Sequence, residues 1–527
     1  MPGSPELTSL WRPLRVSSFR NLIIADVVSD VGAFMQSTGA AWLMVSLNAG
    51  PMYVALTQTA SALPFFLFAL PAGAIGDIVD RRKLILYTET WMAGVALVLA
   101  VLTIGGLVGP LLLLILTFAL SAGDAFETPS WRAVLPELVK KEDLPAASAL
   151  NGIEFNFARA VGPGLAGLVI AAAGAGTAFL INTVSFVGVI FVVARWKRAI
   201  HKRTTPRETV TGATLAAIRY FRYSPPIRTL LARSALVMFF ASGLLALLPS
   251  LSHTVKNSPT AYGLLMGSFG FGAVVGALLM QRARARWSTE VVVTGGVALF
   301  GIATLAASGL RSLAGLSAAM IVAGESWIVF LSLFSVLVLN HAPEWVRARV
   351  LAFSTLAFQG AVAAGSAFWG TFAQRFGVGT ALLYAGAGTL TMTALALFLR
   401  LPDATVDLTS WNHWRLPAME KGKPEIDGDL GPVLVTVEYE VAPDQATDFL
   451  KAVRQYRRIR RRDGARKWGI FRDTENVNRY VETFIVSSWA EHLRQHERLT
   501  RADREAEERV QRHVVSQSKV RHLISVE

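Results

Sequence analysis

Gly73-Ala74-Ile75-Gly76-Asp77-Ile78-Val79-Asp80-Arg81-Arg82-Lys83 sets two carboxylates and three adjacent cations between two apolar runs, residues 53–75 and 84–107. Each run reaches the roughly 20 residues that a bilayer crossing takes. The charged stretch therefore reads as a short turn joining two spans. Outward from it the pattern continues. Apolar runs of membrane length lie near 21–47, 53–76, 84–107, 110–126, 148–173, 176–194, 229–251, 260–280, 289–309, 313–340, 348–372 and 378–399.

The chain has 527 residues, 53% hydrophobic and only 17% charged, which excludes an ordinary soluble protein. A net charge of +14 would suggest nucleic acid in a soluble chain. Here the cations fall in alternate joints: Arg81, Arg82 and Lys83; Arg132, Lys140 and Lys141; Arg195, Lys197, Arg198, Lys202 and Arg203; Arg282, Arg284 and Arg286; Arg347 and Arg349. The other joints hold little beyond Lys256, Arg311 and Arg375. That asymmetry predicts a multi-pass protein of the inner (plasma) membrane with the basic joints and both termini in the cytoplasm, lipid as its surroundings and no nucleic-acid partner. The opening residues are polar and the first apolar run is too long for a signal sequence, so it reads as the first span. There are no cysteines, hence no disulfides and no thiolate metal site.

The membrane part repeats at a spacing of roughly 205 residues, as an internal parallel duplication would. Pro136-Glu137-Leu138-Val139 returns as Pro343-Glu344-Trp345-Val346, and Pro51-Met52-Tyr53 as Pro259-Thr260-Ala261-Tyr262. Gly276 with Arg282, Arg284 and Arg286 is a decayed copy of the charged turn. The expected division is a six-helix bundle over 1–195, a basic linker over 196–228, a second bundle over 229–400, a connector over 401–431 and a tail over 432–527. In the linker, Leu215, Ile218, Tyr220 and Phe221 with Arg219 and Arg222 fit either an amphipathic helix on the membrane surface or a solvated segment. Trp411 and Trp414 of the connector suit a membrane interface. The tail alternates at 433–441 and then reads strand-helix-strand-strand-helix-strand, the order of a ferredoxin-like α+β domain.

Charges at membrane depth need a reason. Asp26 and Asp30 stand i, i+4 on the first helix. Neighbouring carboxylates in a low dielectric resist joint ionisation, and a proton shared between them is the chemistry of a proton-coupled carrier. Asp26 lies near the helix end and reads as hydrated; Asp30 is deeper. Glu154 on the fifth helix and Glu325 on the tenth complete the ion-coupling candidates with Asp30. Arg159 and Asn156 share a face of the fifth helix, and Arg159 serves either an interhelix ion pair or a substrate contact. Gln36, Trp327 and Gln359 are the other cavity candidates. Gly73, Asp77, Arg81, Arg82, Asp124, Glu127, Gly162 and Pro163 form an expected gate. In it Asp77 caps a helix of the opposite half, Arg81 pairs with an acid, and Asp124 and Glu127 close the fourth helix just before Pro129.

Gly73, Asp77, Arg81, Arg82 and Lys83 resemble the loop signature of major facilitator superfamily transporters, with Ile78 where an arginine is usual and Asp80 where a glycine is usual. The run from Ala125 through Pro136, followed by Ala149-Leu150-Asn151 and Glu154 to Pro163, is similar to the transmembrane secretion effector branch, which includes enterobactin-exporter-like proteins. The resemblance implies twelve transmembrane helices in two six-helix halves and a secondary exporter of small amphipathic molecules, drugs or siderophores, coupled to protons. It also implies an arginine in the fourth helix that residues 110–126 lack, and a small or apolar residue where Glu154 stands. The tail is similar to antibiotic-biosynthesis monooxygenases, which dimerise through their sheets and act without metals or prosthetic groups. Two alternatives stand beside the exporter: a catalytic tail with Trp489, His492 and His496, and a nutrient importer. No cofactor and no metal are called for. The run from Arg457 to Arg462 is expected to hold the tail against anionic lipid.

Overall fold

The computed structural model describes residues 10–196, 210–402, 406–409, 411, 430–516 and 518–526. The side chains of Ala74, Asp77, Ile78 and residues 210–214, together with Trp414, lie outside the described set. By internal packing the chain falls into two compact units. One comprises Met1–Thr204, Leu231–Ser335 and Ala352–Arg400; the other comprises Thr205–Leu230, Val336–Leu351 and Leu401–Glu527.

Among the described residues, twelve long helices lie wholly or mostly in the first unit. In the first half these are α1 (Ser17–Ser46), α2 (Gly50–Ile78), α3 (Arg81–Ile104), α4 (Pro110–Leu138), α5 (Leu144–Ala173) and α6 (Ala175–Arg195). A linker helix, α7 (Val210–Tyr223), precedes the second half. That half is α8 (Pro225–Val255), α9 (Pro259–Arg286), α10 (Thr289–Gly309), α11 (Leu313–Asn340), α12 (Arg347–Phe376) and α13 (Val378–Leu395). Eleven of these helices are long and apolar enough to cross a membrane. The twelfth is α1, whose 30 residues include Arg20, Asp26 and Asp30 and which packs along α5 and α6. Prolines start α2, α4 and α9, where the missing N–H is no loss.

The duplication is visible in the backbone. Gly174 (φ +81°) turns α5 into α6, and Gly377 (φ +87°) turns α12 into α13. A left-handed residue is needed at both junctions, and glycine adopts it without strain. The two halves meet along α5–α9 and α2–α12. A Cβ on Gly263 would stand 2.9 Å from the Gly167 Cα and 2.7 Å from the Pro163 carbonyl, so the α5 and α9 backbones touch. Thr59 donates to the Ala363 carbonyl at 3.0 Å across α2–α12.

α4 departs from expectation. It does not end before Pro129 but continues through Pro129 and Pro136 to Leu138. Neighbouring helices can satisfy the carbonyls that a proline frees inside a bundle. Asp124, Glu127 and Arg132 therefore all sit within this helix, so the fourth helix does carry an arginine.

The second unit contains a four-stranded antiparallel sheet in the order β2-β3-β1-β4, from β1 (Val433–Glu440), β2 (Arg466–Arg472), β3 (Arg479–Val486) and β4 (Lys519–Ile524). Helices α14 (Ala446–Arg462), α15 (Trp489–Arg498) and α16 (Arg501–Gln511) complete a ferredoxin-like arrangement. The alternating buried residues Val433, Val435, Val437 and Tyr439 of β1 pack on Phe449, Val453 and Tyr456 of α14. α7 and residues 336–351 belong to this unit. Tyr220 is buried and donates to the His341 carbonyl at 2.7 Å, its ring edge-on to Trp345 at 5.7 Å. Arg219 pairs with Glu491 of α15 at 2.7 Å. The linker helix is thus neither solvated nor purely a surface helix: Ala216, Ala217 and Tyr220 are buried, while Leu215 and Ile218 stay exposed.

Part of the basic run and Trp411 have partners inside this unit. In the basic run, Arg460 faces buried Glu482 at 3.4 Å, and Arg462 forks onto Asp503 at 2.7 and 2.9 Å while also binding Asp463. Arg460 and Arg462 are thus internal ion-pair partners, whereas Arg458 of the same run stays exposed. Trp411 lies under Arg501 and Arg504 within the same unit.

Candidate functional site

Six carboxylates converge in the first half. At 1.5 Å per residue, Asp26, Asp30, Glu89, Asp124, Glu127 and Glu154 all lie roughly 12–21 Å from the helix ends that carry the basic joints. They are therefore at one depth on four helices. Asp30 neighbours Asp26, Asp124 and Glu154, and Glu127 neighbours Glu89 and Asp124. Glu127 accepts from Thr88 Oγ1 at 2.7 Å, Asp124 from Thr128 Oγ1 at 3.1 Å, and Asp26 from Trp131 Nε1 at 3.1 Å. Glu89, Glu127 and Glu154 are buried, whereas Asp124 is exposed. Both carboxylate oxygens of Glu154 are buried without a hydrogen-bond partner. The nearby cations are Arg159, which faces Asp30, and Arg132, which faces Asp124. Arg159 also lies over the Phe155 ring at 4.9 Å.

A cleft of about 230 Å³ opens beside this cluster, lined by Phe19, Leu22 and Asp26 of α1, Trp131, Arg132 and Val134 of α4, and Ser148 and Asn151 of α5. It gives water a route to Asp26.

The structure brings together Asp30, Glu154 and Arg159 with Asp124 and Glu127, which sequence reasoning had assigned to the gate. Glu89 was missed; the signal available was an acid deep in an otherwise apolar run. Glu325 stands apart in the second half, half-buried, its backbone against Gly276. Gln36 faces α6, where it accepts from Asn182 at 2.6 Å, and Trp327 is buried among Phe269, Phe300, Phe330 and Phe358. Both occupy packing positions. Asn156 donates to the Gly152 carbonyl at 2.7 Å, and Gln359 is half-buried on α12.

At the basic end, Asp80 caps α3 by accepting from Lys83 N at 3.1 Å. Arg81 donates to Glu137 and to the Ala133 carbonyl of α4, and Arg82 to the Val193 and Ala194 carbonyls of α6. These cations bind the carbonyl ends of helices in their own half. The capping role expected of Asp77 lies outside the described residues. Gly73 meets nothing within 4 Å, and it is Gly76 that approaches Ser130. Gly162 seats α5 on Phe34 and Val31 of α1, and Pro163 touches Gly263. In the second half buried Arg233 of α8 pairs with Glu290 at 2.6 Å and donates to the Leu399 carbonyl.

The fold recurs in known transporters. The chain is 24% identical to a staphyloferrin A transporter of Staphylococcus aureus over 70% of its length and 93% of the relative's. It is 24% identical to the multidrug efflux pump Tap of Mycolicibacterium fortuitum, covering 72% and 94%. A macrolide efflux protein A of Streptococcus pyogenes matches at 23% over 55% and 73%. Among solved structures, the nucleoside transporter NupG (D323A mutant) superposes with a TM-score of 0.62 at 12% identity, over 73% of this chain and all of that one. Residues 8–527 match the family model described as transmembrane secretion effector, and the chain belongs to that family of major facilitator transporters.

Proposed function

We propose that the protein exports a small amphipathic molecule by alternating access, drawing its energy from protons taken up by the acidic cluster of the first half. The observation that carries this reading is the convergence of six carboxylates from α1, α3, α4 and α5 beside a water-accessible cleft. Such a group cannot stay fully ionised at low dielectric, so protons bind and leave as the cleft opens and closes. Arg159 supplies the charge against which Asp30 exchanges its proton. The siderophore, drug and macrolide carriers among the relatives support an amphipathic cargo, and rocking of two duplicated halves supports alternation.

The test is transport into proteoliposomes under an imposed pH gradient, with ethidium, a macrolide and a carboxylate siderophore as probes. Asp30→Asn with Glu154→Gln is expected to reduce gradient-driven transport at least tenfold, with Glu325→Gln doing less. Unchanged coupling in the double variant overturns the role of the cluster. The same reading puts the basic joints and both termini in the cytoplasm of a bacterial plasma membrane. Because the chain has no native cysteine, single cysteines at residue 3 and residue 526 should resist an impermeant maleimide in intact cells. Labelling of either would refute that orientation.

A further inference from the structure

The tail holds a histidine cluster that the transport reading does not use. α15 presents His492 and His496 one turn apart, and β4 brings His522 beneath them. In the sheet His522 pairs with Val435, whose side chain points into the helix-covered core, so His522 faces α15. The Nε2 atoms of His492 and His496 are 3.1 Å apart, and one ligand nitrogen from each of the three rings lies within 4.8 Å of the others. A tetrahedral ion at about 2.0–2.1 Å from imidazole nitrogens needs them about 3.3 Å apart. Two of the three are already so placed, and a small ring rotation brings in the third.

Three further observations point the same way. His522 Nε2 is buried without a hydrogen-bond partner, an arrangement that costs free energy unless something binds there. Gln495 Oε1 stands 3.4 Å from His492 Nδ1, where it can accept the N–H and leave Nε2 as the electron-pair donor. A void of about 20 Å³ adjoins the three rings, room for a water as fourth ligand. The cation lining this void, Arg460, is offset by Glu482.

We propose that His492, His496 and His522 bind one divalent transition-metal ion of the imidazole-preferring class, zinc foremost, stapling α15 to β4. Full-length protein carrying a tag without histidines is stripped with a chelator and equilibrated with Zn²⁺. Bound metal is then counted by elemental mass spectrometry, and affinity is read by competition with a chromophoric chelator. Co²⁺, with its visible ligand-field bands, reports nitrogen coordination. The expected result is one Zn²⁺ per chain, with affinity falling at least tenfold in His522→Ala and in His496→Asn but unchanged in His513→Asn. His496 is only partly buried, so its variant keeps the fold, and circular dichroism verifies this. Absence of saturable Zn²⁺ binding, or equal binding when all three histidines are replaced, overturns the proposal.

Discussion

Arg462 and Asp503 show how single residues decide the fate of the tail. The guanidinium forks onto Asp503 at 2.7 and 2.9 Å, and Thr500 donates to the same carboxylate. Burial alone would push Asp503 up, but Arg462 and Thr500 outweigh it and hold the carboxyl below its ordinary range. Asp463, bound to the same arginine, goes the other way because burial wins. For Asp503 the unfolded chain binds the proton more readily, so stability rises with pH through this region. The contribution is complete above the ordinary value of about 3.9 and is lost as pH falls below it. Pepsin sensitivity of the tail should therefore climb as pH drops below about 4, and Asp503→Asn should remove that part of the slope. Arg462→Met, which strands two buried carboxylates, should cost about 3–5 kcal/mol. It would appear at neutral pH as a lower midpoint in pulse proteolysis.

At the scale of elements, glycine separates contact from vacancy. Gly263 and Gly167 bring α9 and α5 into backbone contact, so Gly263→Leu must push the halves apart. Gly73 sits inside α2 with open space around it, and Gly73→Ala should be neutral or stabilising by up to about 1 kcal/mol. Thermal melting in detergent should show a loss of several degrees for the first and none for the second. Most helices were legible because length and hydropathy are local properties, and the strands of the tail were legible from period two. α4 was not, because proline ends a helix in water but not in a packed bundle. That single boundary moved Asp124 and Glu127 from a gate into the acidic cluster and put Arg132 in the helix. The grouping of His522 with α15 and the Arg233–Glu290 pair were illegible for another reason. Their partners lie on distant stretches of chain, and no spacing rule connects them.

At the scale of the molecule, three separate stretches build the second unit: the linker helix, residues 336–351 and the tail. Tyr220, His341, Trp345 and Arg498 link all three. Tyr220→Ala should raise deuterium uptake in residues 336–351 and in α15 together; a change confined to α7 would show that the three stretches are independent.

The burial of Tyr220 has a consequence for biogenesis. A ribosome releases the linker some two hundred residues before α14 exists, so its apolar side emerges with nothing to cover it. Residues 336–351 arrive first and cover part of it; until the tail follows, the rest needs a chaperone or the lipid headgroups as a temporary shelter. A chain stopped at Arg400 would keep the contacts of Tyr220 with His341 and Trp345 but never gain those with Arg462 and Glu491, and proteases of the cell should clip it between the two bundles more readily than the full chain.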